Sequence, residues 1–131
     1  MIVLDTHVLI WWVTKAPDLR ARARHAIQQA IRHSPVDVST VSLFEAATAV
    51  RRGRVSFGVP FDRWLRAVRA LPELRFVPVT ADIASLAGGF DDSMPGDPAD
   101  RIIAATAITL GAKLVTADAR LRRVPQLQTV W

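Results

Sequence analysis

Four acidic residues of this chain, Asp5, Glu45, Asp100 and Asp118, each stand where an apolar run hands over to a helix or in that helix's first turn. Such carboxylates act together only if the fold gathers them. An open parallel sheet would do so, because its strand-to-helix junctions all lie along the carboxyl edge, where ligands bind near the topological switch point. Each acid also has a plainer explanation. Asp5 caps the helix that begins at Thr6 or His7, and Ser42-Leu43-Phe44-Glu45 fits the capping-box pattern. Asp100 lies in a first turn already capped by Asp97, and Asp118 caps a short last helix. Taken singly, capping is the better account of each.

Taken together, the four do not fit it as well. Two like charges ~5 Å apart repel by roughly 3 kcal/mol at an effective dielectric near 20, so a cluster of carboxylates is destabilising or partly protonated unless a cation joins it. Oxygen ligands without Cys or a His pair suit Mg²⁺ or Mn²⁺ better than zinc. Ions of this kind polarise phosphoryl oxygens and lower the pKa of bound water, which is phosphodiester chemistry.

The elements that must position these acids follow from hydrophobic period and from helix stop signals. Ile2-Val3-Leu4 reads as a buried strand, followed by a short helix over Thr6 to Val13. Pro17-Asp18 opens a second helix to about His33, with Leu19, Ala23, Ile27 and Ile31 as its apolar stripe. Val36 to Thr40 alternates as a strand; helices follow from Val41 to about Arg52 and from Phe61 to Leu71. Arg75 to Val79 is a third strand and Thr80 to Ala87 a short helix, with a flexible, turn-rich loop from Gly88 to Gly96. A long helix over Pro98 to Leu110, a strand over Lys113 to Thr116, a helical turn from Asp118 to Arg123 and a terminal strand from Gln128 to Trp131 complete the chain. Strands alternating with helices at this spacing predict parallel βαβ units in an α/β sandwich. No internal repeat or linker divides residues 1–131, so one domain is expected.

Composition narrows the class of partner. The net charge is +5, and 15 of the 17 basic residues are Arg, whose planar fork suits phosphate. Residues 1–75 carry 12 Lys and Arg against 6 acids, whereas residues 76–131 carry 5 against 6, so the whole surplus lies in the first part. A basic surface that holds a polyanion beside an acidic pocket that cuts it is consistent with this, although solvated Arg faces on helices would give the same count. The absence of Cys excludes disulfides, thiol nucleophiles and Cys-based zinc sites. No apolar stretch approaches the ~20 residues of a membrane span, and no targeting segment is evident, so a cytoplasmic address is expected. Trp11, Trp12 and Trp64 are expected to pack at helix contacts or an interface; His25 and His33 read as surface residues.

Four segments in order, Met1-Ile2-Val3-Leu4-Asp5-Thr6-His7, Val41-Ser42-Leu43-Phe44-Glu45-Ala46-Ala47, Asp97-Pro98-Ala99-Asp100-Arg101 and Leu114-Val115-Thr116-Ala117-Asp118, resemble the PIN-domain toxins of VapBC toxin-antitoxin systems. The resemblance spans nearly the whole chain. It implies an α/β/α sandwich with a central parallel sheet of about five strands and a Mg²⁺- or Mn²⁺-dependent endoribonuclease acting on structured RNA such as transfer or ribosomal RNA. It further implies that Asp5, Glu45 and Asp100 bind metal, that Asp118 completes the acidic site, and that Thr6 and Thr116 support the acids. Homodimerisation and inhibition by a cognate VapB-type antitoxin are also implied, with DNA contacted only through the antitoxin.

Two departures from the family pattern stand out. Phe44 replaces a common Trp, with an effect expected on packing only, and Ser93-Met94-Pro95-Gly96 lacks a His often found before the Asp-Pro step. Asp91, Asp92 and Asp97 lie nearby and read as loop acids and a cap. The alternative function is a catalytically silent module of the same fold that binds RNA or protein. A phosphatase with an aspartyl nucleophile would want a second Asp where His7 stands.

Overall fold

The computed structural model describes residues 1–131. Five parallel strands, β1 (Ile2–Leu4), β2 (Val36–Ser39), β3 (Leu74–Val77), β4 (Lys113–Val115) and β5 (Thr129–Val130), form one sheet in the order β3-β2-β1-β4-β5. Seven helices connect them: α1 (Thr6–Val13), α2 (Ala21–Ile31), α3 (Val41–Arg51), α4 (Phe61–Arg69), α5 (Ala81–Gly89), α6 (Pro98–Leu110) and α7 (Ala119–Arg122). None is long and apolar enough to cross a membrane.

The central strand is apolar on both sides, as a parallel strand covered by helices must be. Ile2 and Leu4 of β1 face the larger core, with Leu9 of α1, Ile27 of α2, and Trp64 and Val68 of α4. Val3 faces the opposite core with Ile103, Ala104 and Ala107 of α6, Leu114 and Leu121. Between α5 and α6, Ile83, Ala87 and Ala105 pack as a third, smaller cluster. The expected α/β/α sandwich is therefore present, with its predicted strand number.

Several boundaries shift for local reasons. Helix α2 starts at Ala21 rather than at Pro17, because Arg20 is extended (φ −65°, ψ 151°) and Pro17-Asp18 lies in a turn. The glycines Gly88 and Gly89 continue α5 instead of opening a loop. The segment that follows, expected to be flexible, is tied down. Met94 is buried in the core, and the Arg101 guanidinium donates to the carbonyls of Ala87 (2.9 Å), Phe90 and Pro95 (3.4 Å). Gly111 ends α6 in the left-handed conformation (φ 62°), as a helix-ending Gly does.

The strand β2 carries a fully buried carboxylate, Asp37, between Val36 and Val38. Its register partner on β3 is Arg75, whose Nε and Nη2 reach the two carboxylate oxygens at 2.6 and 3.1 Å. A bidentate pair satisfies the buried charge from the neighbouring strand.

Candidate active site

The chain reverses direction across the sheet at β1, with β2 on one side and β4 on the other, so the carboxyl ends of β1 and β4 flank the switch point. Asp5 follows β1 directly. One of its oxygens caps α1, accepting from Thr6 N–H at 2.8 Å, so the capping explanation holds for half of the carboxylate. Its other oxygen, Oδ2, accepts a 2.6 Å hydrogen bond from Thr116 Oγ1 at the end of β4. Burial pushes the Asp5 carboxyl up, against the hydrogen bond from Thr116, the nearby His7 and the Thr6 N–H; Asp118 pushes it further up.

Glu45 comes from α3, and the capping-box explanation fails for it. Thr40 is the N-cap and makes no side-chain capping bond. Instead Glu45 Oε1 lies 2.5 Å from Thr6 Oγ1, which is also 2.9 Å from the buried Ser42 Oγ. A threonine hydroxyl has one proton; the carboxylate, which can only accept, takes it, and Ser42 donates to Thr6. Ser42, Thr6 and Glu45 thus form a short relay. Its first member was masked in sequence by the capping-box pattern it shares with Glu45. The Glu45 carboxyl is raised, first by burial, with Asp5 and Asp97 adding to the effect and the Thr6 hydrogen bond and His7 opposing it.

Asp100 sits in the first turn of α6, whose cap is Asp97: the Asp100 N–H donates to Asp97 Oδ1 at 3.1 Å. The Asp100 side chain is 15% exposed. Its pKa is pushed up to about 7 by burial and then by Asp5, Asp97, Asp118 and Glu45. Every other acid predicted for the site therefore acts on this one carboxyl.

Asp118 caps α7 through the Arg120 N–H (2.8 Å), and its own N–H donates to Thr116 Oγ1 at 3.0 Å. Partial burial works upward on its carboxyl, but hydrogen bonds from the Arg120 side chain and backbone and the charge of Arg120 outweigh it, leaving the group below its ordinary value. Thr116 thus links Asp5 and Asp118, and Thr6 links the turn after β1 to Glu45.

The four acids are brought together, but no three acidic or histidine side chains converge tightly enough to form a ligand cage. They lie around the carboxyl ends of β1 and β4. Several of their oxygens are already engaged, by Thr6, Thr116 and Arg120, and mutual repulsion favours separation. The donor set nonetheless fits a hard divalent cation: it consists of carboxylates and hydroxyls without sulfur, and a carboxyl raised by burial and then by four acidic neighbours is relieved by positive charge.

The remaining candidates fall elsewhere. Asp91 is exposed and bonded within its own loop to Ser93, and Asp92 is exposed. His25 and His33 are on the surface. Trp64 is buried and stacked on Phe57 (centroids 4.1 Å apart), and Trp11 packs against Trp131, as expected of packing residues. Phe44, expected to affect packing only, is 71% exposed on α3 beside Glu45. The residue before Glu45 on an α-helix points some 100° away from it, which here means into solvent.

A cavity of about 700 Å³ lies away from the acids. It lies among α1, α2 and α4 and is walled by Trp12, Leu19, Trp64, Ala67 and Leu71. Trp64 and Glu73 are among its lining residues, and the Trp64 Nε1 donor and the Glu73 Oε2 acceptor are buried without hydrogen-bond partners.

A PIN-domain family model matches residues 2–127. The chain is 39% identical over 132 aligned positions to Ribonuclease VapC22 of Mycobacterium tuberculosis, covering 99% of this chain and 98% of the relative. Among solved structures it superposes on VapBC2 from Rickettsia felis, crystallised with a DNA fragment from its promoter, with a TM-score of 0.72 at 20% identity, covering 98% and 97% of the two chains. VapBC-1 from nontypeable Haemophilus influenzae gives a TM-score of 0.69 at 22% identity over 98% and 96%.

Proposed function

Because the chain belongs to the PIN-domain family, we propose that it is the endoribonuclease toxin of a type II toxin-antitoxin pair and that Asp5, Glu45, Asp100 and Asp118 form its divalent-cation site. The observation that carries the reading is the linkage of the acids at the carboxyl edge: Thr116 joins Asp5 to Asp118, Thr6 joins the turn after β1 to Glu45, and Asp100, pushed up to about 7 by burial and then by its four acidic neighbours, shares the Arg120 guanidinium with Asp118. Capping residues scattered singly over a surface do not act on one another in this way. The ribonuclease name of the relative in Mycobacterium tuberculosis supports the same reaction class.

The reaction is in-line hydrolysis of a phosphodiester, leaving 5′-phosphate and 3′-hydroxyl ends. When bound, Mg²⁺ or Mn²⁺ supplies charge neutralisation at the phosphate and lowers the pKa of a water there. The chain's own residues set the stage for it. Thr116 fixes Asp5 Oδ2, and the Ser42-Thr6 relay fixes Glu45 Oε1, so both carboxylates are oriented before substrate arrives. Asp100 surrenders its proton as positive charge enters the site. Asp118, held low, stays ionised throughout the neutral range. Exposed Arg51, Arg52 and Arg54 at and just beyond the end of α3, and Arg63, Arg66 and Arg69 on α4, supply the cationic surface for structured RNA.

A VapB-type antitoxin is the partner, and DNA is reached only through it. The cavity among α1, α2 and α4 suits a peptide segment of that antitoxin because its walls are mostly apolar. The toxin itself pairs as a homodimer in this reading. A catalytically silent module would have no need of four mutually repelling carboxylates. The deciding experiment is Mn²⁺-dependent cleavage of total RNA by wild type and Asp100→Asn, with the cut ends mapped. Wild-type cleavage lost in the variant is the expected result; full activity in Asp100→Asn would remove the assignment.

A further inference from the structure

Arg120 is the only basic side chain within 4.0 Å of any of these acids. As the second residue of α7, it is held by the cap it shares with Asp118: its backbone N–H and its Nε both reach Asp118 Oδ1, at 2.8 and 3.4 Å. Its Nη2 lies 3.0 Å from Asp118 Oδ2 and 3.5 Å from Asp100 Oδ2, so one nitrogen bridges the two carboxylates. The side chain is nevertheless 64% exposed, and Nη1 makes no hydrogen bond within the protein.

A guanidinium here partly neutralises Asp100 and Asp118 from within the chain. A divalent cation entering the site meets that charge: the ion and the guanidinium repel, and both seek the same oxygens. Once displaced, the guanidinium lies beside the acidic site, exposed, with its planar fork free to take a phosphate in the bidentate manner that Arg favours. Cation and substrate are then linked. The ion releases Arg120 from the acids, and by reciprocity a phosphate that engages Arg120 makes room for the ion.

We propose that Arg120 is the intramolecular competitor of the divalent cation and, once displaced, a phosphate-binding residue for the RNA. This rests on the reading of the acids as a cation site, and the experiment separates the two. Mn²⁺ binding to the RNA-free protein is measured by calorimetry for wild type, Asp100→Asn, Arg120→Gln and Arg120→Lys, and RNA cleavage kinetics are measured at saturating Mn²⁺. Arg120→Gln is expected to bind Mn²⁺ roughly 3- to 10-fold more tightly than wild type, as expected from removing one nearby positive charge. Its KM for RNA is expected to rise with kcat little changed, and Arg120→Lys, which keeps the charge but not the fork, to fall between the two.

Mn²⁺ affinity unchanged or weakened in Arg120→Gln would overturn the competition and leave Arg120 a mere anchor of α7. An unchanged KM would overturn the phosphate contact. Wild type that takes up no Mn²⁺, or Asp100→Asn that binds it as wild type does, would sink the cation-site reading and this proposal with it. Tight, Asp100-dependent binding that is indifferent to Arg120 would sink the proposal alone.

Discussion

Thr116 Oγ1 donates to Asp5 Oδ2 at 2.6 Å, joining the end of β4 to the end of β1 between two fully or nearly fully buried residues. The bond holds the Asp5 carboxyl down against the burial that raises it. In Thr116→Val, which preserves shape, Asp5 loses that restraint and its pKa rises further. The acid limb of the pH-activity profile is expected to move to higher pH, and stability to fall by about 1–2 kcal/mol for the buried acceptor left without its donor. A profile superimposable on wild type would show that Asp5 does not govern it.

Asp100 makes a prediction about the cation-free protein. Its folded pKa of about 7 lies above the ordinary aspartate value of 3.8, so between these values the native state holds a proton that the unfolded chain has lost. The contribution of this group to stability is therefore full below pH ~4 and is lost as pH rises through 7. Asp100→Asn removes the loss: in chelator at pH 8 it is expected to be roughly 1–2 kcal/mol more stable than wild type, a partial value because solvent still reaches the site. Urea denaturation at pH 5 and pH 8 checks this, and the difference should shrink at the lower pH. Added Mn²⁺ should reverse the order at pH 8, since wild type gains RT ln(1 + [Mn²⁺]/Kd) and the variant much less.

The pair of Asp37 and Arg75 is structural. Arg75→Met would leave a fully buried carboxylate without its bidentate partner and is expected to destabilise the protein by about 2–3 kcal/mol, less than for a wholly buried pair because Arg75 is half exposed. Replacing both partners, as in Asp37→Asn with Arg75→Met, should recover much of the loss. Chemical denaturation of the single and double variants measures the coupling.

Ala67 is exposed on α4 and lines the large cavity. Ala67→Glu places a charge on an apolar wall without entering the core, so RNA cleavage by the free toxin should persist while affinity for the cognate antitoxin falls by at least tenfold. Titration of the toxin with its antitoxin, read by loss of cleavage, tests this; unchanged inhibition would put the antitoxin elsewhere.

Much of this was legible in the sequence because it depends on local rules. The apolar runs of β1 and β4, the stripe of Leu19, Ala23 and Ile27, and the Asp97-Pro98 start of α6 each announce an element with its burial or cap. The alternation of strand and helix then puts Asp5, Asp100 and Asp118 at one edge whatever the details. What could not be read depended on side chains meeting across the fold. Ser42 looked like a cap and proved to be the far end of the Glu45 relay. Phe44, standing in place of a common Trp, was expected to affect packing only, and only the rotation of α3 turns it outward. Nothing local to Arg101 marks its role, because the three carbonyls it binds lie between 6 and 14 residues away. Asp37 drew no notice because nothing in a strand pattern distinguishes a polar residue facing solvent from one facing a cross-strand guanidinium.

The strand order β3-β2-β1-β4-β5 also sets when the site can exist. Asp5 is bracketed by β2 on one side and β4 on the other, yet β4 and Thr116 follow it by more than a hundred residues of chain. A nascent polypeptide extended only through α6 holds Asp5, Glu45 and Asp100 but lacks the strand against which Asp5 is aligned and the last of the four acids. The order of translation thus withholds a complete site until the last strands emerge, a delay in which a protein that attacks RNA is still being made from it.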